Sequence, residues 1–397
     1  MPSEPSRHPL SMFLRRPFWT GPAPWILLLF LASNLLIAQW KGSLEEFRRQ
    51  NFLLGTRGTL RAQSAPPGTV RFDWSAGERL GEFWPYIPDA ATHRLVILSG
   101  MSQMYAINEE QPGDLTIAEA LDDAMAPKGV RVFGLAAPNL SNEEALFLLL
   151  SLLSDPKTRP DVFIYGVCFD KFRNLDLRPA YQEFLRKHPA AWKLEEDSAR
   201  TLAAVYPLAA DKILRSLGDI REAEKARADD ALEARVRGLA EEVLPVAAAR
   251  KDLNASVQMQ MFLFRNWLLG IKPTSKRPVI QGRHELNRQF LQMMIDIAAR
   301  HGVRTICYVI PLNPLAENPY IPEQYASFKE WLERICSEKG VPFANLENVV
   351  PSDEWGIFMG GPDFKHFKEA AHRRTAQAIV ERFGTILDAE SSREGRR

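Results

Sequence analysis

Short apolar runs recur along residues 89–388, and each is bounded by polar or turn-forming residues. Runs of this kind are typical of strands that are buried on both faces of a parallel sheet. The pattern predicts strands at 94–100, 130–136, 161–167 and 304–312, with a last strand region at 341–350.

Apolar positions with helical spacing fill the stretches between these strands. They predict helices at 116–126, 142–154, 287–302 and 323–340, and a final amphipathic helix within 362–383. Strands that alternate with helices favour an α/β fold, with a mostly parallel sheet between two helical layers. In such folds ligands bind beyond the carboxyl ends of the strands.

The alternation of strands and helices is interrupted at about 197–272. This region contains a charged helical stretch at 219–244 and an apolar one at 257–271. We interpret it as a helical insertion between the third and fourth strands. Its charged face is expected to be solvated, although an insertion at this place could also cover the edge of the sheet as a cap.

The apolar segment at 22–40 has no charged residue, and Trp25 and Trp40 stand at the two ends of its apolar run. Aromatic residues at both ends are typical of membrane interfaces. A buried core helix and a cleaved signal peptide are the alternatives, but no Ala-x-Ala cleavage site follows. We therefore expect an uncleaved transmembrane anchor.

Arginines precede the apolar segment, so the positive-inside rule places residues 1–21 in the cytoplasm. The chain is then a single-pass protein of the inner (cytoplasmic) membrane, with its α/β domain (89–388) extracytoplasmic or periplasmic. Residues 41–88 are expected to form a juxtamembrane helix and linker, and 389–397 a disordered tail.

Composition narrows the possible functions. The chain has 397 residues, 46% hydrophobic and 25% charged, with a net charge of +1. This balance argues against nucleic-acid binding. The cysteines (Cys168, Cys307 and Cys336) form no Cys-x-x-Cys pair, and the histidines show no His-Glu-x-x-His spacing. A zinc site, a disulfide framework and a metal-dependent hydrolase are therefore disfavoured, and no cofactor is expected.

Ser102 lies just beyond the first predicted strand, in the stretch SGMSQ (99–103). A serine at this edge, followed by a helix, would have its backbone N–H near a helix N-terminus, where a developing oxyanion is stabilised. The alternative is that Ser102 only caps the helix.

Asp363 and His366 follow the last predicted strand and therefore lie at the same edge as Ser102. Serine needs an adjacent base to become a nucleophile, and that base need not be close in sequence. His366 could serve as the base, with Asp363 fixing its tautomer. The alternative is that Asp363 caps the following helix.

Four stretches together resemble the SGNH (GDSL-type) hydrolases. SGMSQ resembles the first block of that family, with Ser102 at the nucleophile, and DFKHFKEAAHRRTAQAI (363–379) resembles the fifth, Asp-x-x-His before a helix. VFGLAAPNLSNEEAL (132–146) resembles the second block and PDVFIYGVCFDKFRN (160–174) the third. The resemblance implies the three-layer fold and a Ser102–His366–Asp363 triad.

The chain departs from the family pattern around the oxyanion hole. Met101 replaces the first-block aspartate, alanines stand where the second block has glycine, and Cys168 stands where the third block has asparagine. The candidate oxyanion and substrate-binding residues are Ser102, Ala137, Asn139, Cys168 and Asn174. Asp170 and Arg173 are further candidates for a charged site.

The layout is similar to that of membrane-anchored DltD-like and alginate O-acetylation proteins. This resemblance implies an esterase or acyltransferase acting on an O-acylated cell-surface glycan, with acetyl as the expected acyl group. Its other partners would be the membrane and membrane proteins of an acylation or export system. A catalytically inactive scaffold with the same fold is the second hypothesis.

Overall fold

The computed structural model describes residues 84–388, apart from 112, 138, 174–176, 359–360 and most of 230–274. Positions 261, 265 and 268–270 are described within that last gap, and 28, 29 and 32 near the N-terminus. The chain divides into two compact units, Met1–Asn51 with Glu224–Lys272, and Phe52–Ala223 with Pro273–Arg397. The elements below belong to the second unit, except the end of one long helix.

Five parallel strands form the central sheet, in the order β2-β1-β3-β4-β5. Their bounds are β1 Arg94–Gly100, β2 Val130–Ala136, β3 Val162–Val167, β4 Arg304–Val309 and β5 Phe343–Asn345. The prediction of an α/β fold with a parallel sheet is confirmed. β4 and β5 are shorter than the predicted 304–312 and 341–350.

The central strands form where the sequence is continuously apolar. Leu95, Val96, Ile97 and Leu98 of β1 are fully buried, and so is β3 from Val162 to Val167. A strand covered on both faces needs apolar residues at every position, because neither face meets water. The registers align the C-terminal ends of β1, β2 and β3 at one edge of the sheet.

Helices cover the sheet. They are α1 Ile117–Met125, α2 Asn142–Leu153, α3 Pro179–Lys187, α4 Pro189–Leu202, α5 Pro207–Asp229, α6 Gln281–Arg300, α7 Pro322–Glu338 and α8 Glu369–Leu387. Capping boxes begin α1 at Thr116 and α2 at Ser141. Helix α1 packs against α8, whereas α2 packs against α4 and α6, as expected for helical layers on two faces.

The helical region between β3 and β4 starts earlier than predicted. Helix α3 begins at Pro179 and α4 at Pro189, where proline suits the first turn of a helix. Helix α5 begins at Pro207 and covers the first part of the predicted 219–244. Most of 230–272 lies outside the described residues.

A two-stranded antiparallel sheet follows β5 and was not predicted. It pairs β6 Trp355–Phe358 with β7 Gly361–Phe367. The apolar periodicity predicts a final helix within 362–383, which would include most of β7. That assignment was wrong, since α8 begins only at Glu369.

None of the described helices combines the length and the apolar character that crossing a membrane requires. The predicted anchor at 22–40 lies outside the described residues except for positions 28, 29 and 32, as do the segments 1–21 and 389–397 and nearly all of 41–88.

Candidate active site

Ser102 follows β1 by two residues, at the end of the sheet where the parallel strands β1, β2 and β3 terminate. It begins a short 3₁₀ turn, Ser102–Met104, and its side chain is half-buried. The expected α-helix after Ser102 is absent, because the next described helix starts at Ile117. Among the described residues, the helix N-terminus that was expected directly after Ser102 is therefore not present.

Asp363 and His366 lie on β7, in a bulge. The ladder pairs Trp355 with Phe367 and Ile357 with Pro362, so residues 363–366 of β7 lie opposite Gly356 alone. A bulge bends the strand and turns side chains away from the regular alternation. This geometry lets Asp363 and His366, three positions apart, face each other.

The bulge brings His366 to Ser102. The distance from Ser102 Oγ to His366 Nε2 is 2.8 Å. On the other side of the ring, His366 Nδ1 is 3.1 Å from Asp363 Oδ2 and 3.2 Å from Asp363 Oδ1. Hydrogen-bond contacts thus link the three side chains in the order Ser102, His366, Asp363.

Asp363 is held as a carboxylate. Burial alone would raise its pKa, but hydrogen bonds from His366 and from the backbone amides of Lys365 and His366 lower it below the ordinary value. Both amides donate to Oδ1 at 3.0 Å, and Asn108 Nδ2 lies 3.4 Å from Oδ2. A carboxylate accepts a hydrogen bond from Nδ1–H, which leaves Nε2 to accept the Ser102 proton.

The bulge leaves backbone carbonyls outside the ladder, and two side-chain amides and one backbone amide donate to them. Asn313 Nδ2 donates to Asp363 O at 2.8 Å, and its backbone amide donates to Phe364 O at 3.0 Å. Gln103 Nε2 donates to Lys365 O at 2.7 Å. The sequence did not identify either residue as part of the site. Gln103 could have been noticed as the neighbour of Ser102, whereas nothing in the sequence points to Asn313.

The candidate oxyanion residues differ in what they can still donate. Within the described part of the chain, the backbone N–H of Ser102 makes no hydrogen bond. The N–H of Ala137 donates to Gly100 O at 3.3 Å and is therefore used by the sheet. Asn139 is exposed beyond β2 with φ of 49°, a left-handed conformation that asparagine tolerates better than most residues.

Cys168, which stands where the third SGNH block has asparagine, contacts Tyr320. Its Sγ is buried and lies 3.4 Å from the Tyr320 hydroxyl. Burial raises the pKa of the Cys168 thiol above its ordinary value, which keeps it protonated and unreactive. Asn174 lies outside the described residues.

Asp170 does form a charged cluster near the bulge, although Arg173 is not its ion-pair partner. Its Oδ2 is 2.7 Å from Arg277 Nη1 and 3.2 Å from Lys365 Nζ. These two cations outweigh burial and lower the pKa of Asp170. Arg173 instead donates to Pro278 O at 2.8 Å.

His372, on helix α8, contacts the segment that follows the turn Ser102–Met104. Its ring is fully buried, and Nε2 lies 3.3 Å from Ala106 O. Burial lowers the pKa of His372 to about 3, so the ring is neutral at ordinary pH. A neutral ring can donate only one hydrogen bond, and Ala106 O fixes which nitrogen carries the proton.

No protein-family model matches the sequence, and no curated protein matches it either. Among solved structures, the chain is similar to a Bacteroides fragilis protein that is described as "a putative acylhydrolase". The identity is 11%, the match covers 79% of this chain and 99% of that chain, and the TM-score is 0.37. A likeness at this level carries no argument about the reaction.

Proposed function

We propose that this chain is a serine-dependent, SGNH-like acyl hydrolase or O-acyltransferase. The observation that carries the proposal is the 2.8 Å contact between Ser102 Oγ and His366 Nε2. A serine hydroxyl hydrogen-bonded to an imidazole, which is oriented in turn by a carboxylate, is recognised by geometry and roles rather than by sequence order.

In the proposed reaction Ser102 Oγ attacks an ester carbonyl while His366 Nε2 takes its proton. Asp363 keeps the imidazole in the required tautomer and stabilises the imidazolium that forms. His366 then gives the proton to the leaving alkoxide, and an acyl-serine remains. Water or a sugar hydroxyl then attacks the acyl carbonyl while His366 Nε2 takes its proton. His366 returns that proton to Ser102 Oγ as the acyl–serine bond breaks.

The tetrahedral intermediate needs donors for its oxyanion. The backbone N–H of Ser102 is the donor that the described residues leave open. The side chains of Asn139 and Asn174 are the proposed sources of a second donor. One such donor contributes about 3–4 kcal/mol where it has been measured in a serine protease.

The substrate we propose is an O-acylated cell-surface polysaccharide outside the cytoplasm, with acetyl as the acyl group. The apolar segment 22–40 would anchor the chain in the inner membrane with its domain extracytoplasmic, beside membrane proteins of an acylation or export system. This part of the proposal rests on the sequence pattern and the family resemblance.

A catalytically inactive scaffold is the alternative. The observation that favours it is the engagement of Cys168 with Tyr320 and of the Ala137 N–H with Gly100 O. An oxyanion site that lacks these donors could be too weak for turnover.

The test is ester turnover by the full-length protein in detergent. We expect a chromogenic acetyl ester to be hydrolysed by the wild-type chain and about 10³-fold or more slowly by Ser102→Ala and His366→Ala. Ser216→Ala and His301→Ala, remote replacements of the same kinds, should leave the rate unchanged. Equal rates in all five proteins would contradict the proposal.

A further inference from the structure

Gln103 joins three segments that meet at the candidate site. It follows Ser102 in the 3₁₀ turn and is fully buried. Its side-chain Nε2 donates to Pro311 O at 2.8 Å and to Lys365 O at 2.7 Å. Pro311 follows β4, and Lys365 is the residue before His366, so one amide group links the serine turn, the loop after β4 and the β7 bulge.

The two carbonyls use both hydrogens of the Gln103 amide. A neutral amide has two N–H donors, and each acceptor here lies at an ordinary hydrogen-bond distance. Gln103 Oε1, by contrast, has no hydrogen-bond partner among the described residues. A buried amide oxygen without a hydrogen-bond partner lowers the free energy of unfolding. Stability alone therefore does not explain a glutamine at this position.

We propose that Gln103 is a positioning residue that fixes the separation of Ser102 and His366. The ladder cannot fix this distance, because residues 363–366 lie in the bulge. Asn313 holds the Asp363 and Phe364 carbonyls, and Gln103 holds the carbonyl next to His366. Because Gln103 is next to Ser102 in the chain and Lys365 is next to His366, this hydrogen bond connects the backbone at Ser102 to the backbone at His366.

This inference rests on the proposed function, since a positioning residue matters to rate only if Ser102 reacts. A displacement of about 1 Å in a reacting geometry can cost about 10²-fold in rate. Gln103→Met keeps the length and volume of the side chain and removes both donors. We expect its kcat to fall about 10²-fold with KM changed less than about twofold, because the substrate-binding surface is not altered.

A stability control separates positioning from simple destabilisation. Leu152→Ala truncates a fully buried side chain in α2 and destabilises the fold without touching Ser102 or the bulge. At a temperature where both variants are folded by circular dichroism, Leu152→Ala should keep the wild-type kcat. A kcat of Gln103→Met equal to wild type, or reduced only as in Leu152→Ala, would overturn the proposal.

Gln103→Glu gives a second test, which survives if Gln103→Met does not fold. A protonated carboxyl can still donate to one of the two carbonyls, whereas a carboxylate would face both with no donor. The ratio of variant to wild-type kcat is therefore expected to fall as pH rises. A ratio that does not change with pH would contradict the positioning role.

If the wild-type chain proves inactive, the proposed function fails and the positioning role is decided without turnover. In protein with ¹⁵N-labelled histidine, only seven histidines contribute ring signals, and His366→Ala identifies the signal of interest. Gln103→Met should shift the His366 ring resonances. The control is Gln182→Met, a replacement on α3 that removes the donor to Leu177 O and should leave them unshifted. Unshifted His366 resonances in Gln103→Met would overturn the inference.

Discussion

At the scale of single residues, Asp363 contacts one ring nitrogen of His366 and leaves the other to face Ser102. Its carboxylate accepts from two backbone amides as well as from the ring, so its orientation is fixed before any substrate binds. A base that is already oriented pays no reorganisation cost in the transition state.

Asp363→Asn tests this role. The amide keeps the shape of the side chain, but it can present an N–H to Nδ1 and so favour the tautomer in which Nε2 carries the proton. In a serine protease the same replacement costs about 10⁴-fold in kcat, and we expect a loss of about 10³–10⁴-fold here. Measured kcat values of wild type and variant, at equal folded fraction, check it; a loss below tenfold would contradict the assigned role.

Lys171 differs from Asp363, because its buried amine has no hydrogen-bond partner among the described residues. Its side chain is fully buried, and among the described residues Nζ has no hydrogen bond, although it lies 3.8 Å from the centre of the Tyr165 ring. Burial lowers the pKa of Lys171 to about 7. The folded state therefore prefers the neutral amine near and above neutral pH.

This lowered pKa makes a prediction about stability. Between about pH 7 and about pH 10, the unfolded chain binds a proton at Lys171 that the folded chain lacks, so this residue makes the free energy of unfolding rise with pH. Lys171→Met removes the penalty. We expect it to be more stable than wild type at neutral pH by a few kcal/mol, on the order of the shift, with the difference shrinking as pH increases in urea titrations. A variant less stable than wild type at neutral pH would contradict this account.

The sequence identified the residues with candidate chemistry, but it did not identify the residues whose hydrogen bonds position them. Ser102, Asp363 and His366 stand in motifs and lie together in the structure. Gln103 and Asn313 act through carbonyls of a distant segment, and no local pattern predicts which amide will meet which carbonyl.

At the scale of elements, the bulge between β6 and β7 is the feature on which the site depends. Residues 363–366 leave the ladder opposite Gly356, and Asn108 fills the space beside that glycine. Asn108 Nδ2 also donates to Ile357 O at 3.1 Å, which joins the segment after the serine turn to β6.

Gly356→Ala tests the close approach of this hairpin. An added Cβ would overlap the Asn108 side-chain atoms, so Asn108 must move away from Ile357 and Asp363. We expect a loss of about 1–3 kcal/mol in the free energy of unfolding, typical of overpacking, together with reduced esterase activity. Gly384→Ala, where a Cβ would meet only ordinary contacts, is the control. Equal stability of the two variants would argue against a tight contact at Gly356.

The strands of the central sheet were predictable because burial on both faces demands apolar residues at every position. β1 and β2 have the predicted bounds. β6 and β7 are short and partly polar, and their pairing depends on a bulge. Periodicity along the sequence therefore did not predict them as strands. The same limit explains why an α-helix was expected directly after Ser102.

At the scale of the whole molecule, the domain places its candidate chemistry at one edge of a sheet, and the proposed anchor would place the domain outside the membrane. The apolar segment 22–40 supplies the second part of this proposal. A hydrocarbon core of about 30 Å is usually spanned by about 20 apolar residues.

The anchor makes a prediction about fractionation. The full-length chain should remain with membranes after high-salt and carbonate washes and be released by detergent, whereas a chain without residues 1–40 should be found in the wash. Replacing Leu28 and Leu29 with alanine is too small a change to release it and serves as the control. Full-length protein that washes off with salt would contradict the anchor.

The most direct measurement of the central claim is the site of covalent labelling. We would treat the full-length protein in detergent with a fluorophosphonate and identify the modified residue by mass spectrometry of its peptides. The account predicts a single adduct on Ser102, absent in Ser102→Ala and strongly slowed in His366→Ala. Labelling at another serine, or no labelling of folded wild-type protein, would contradict it.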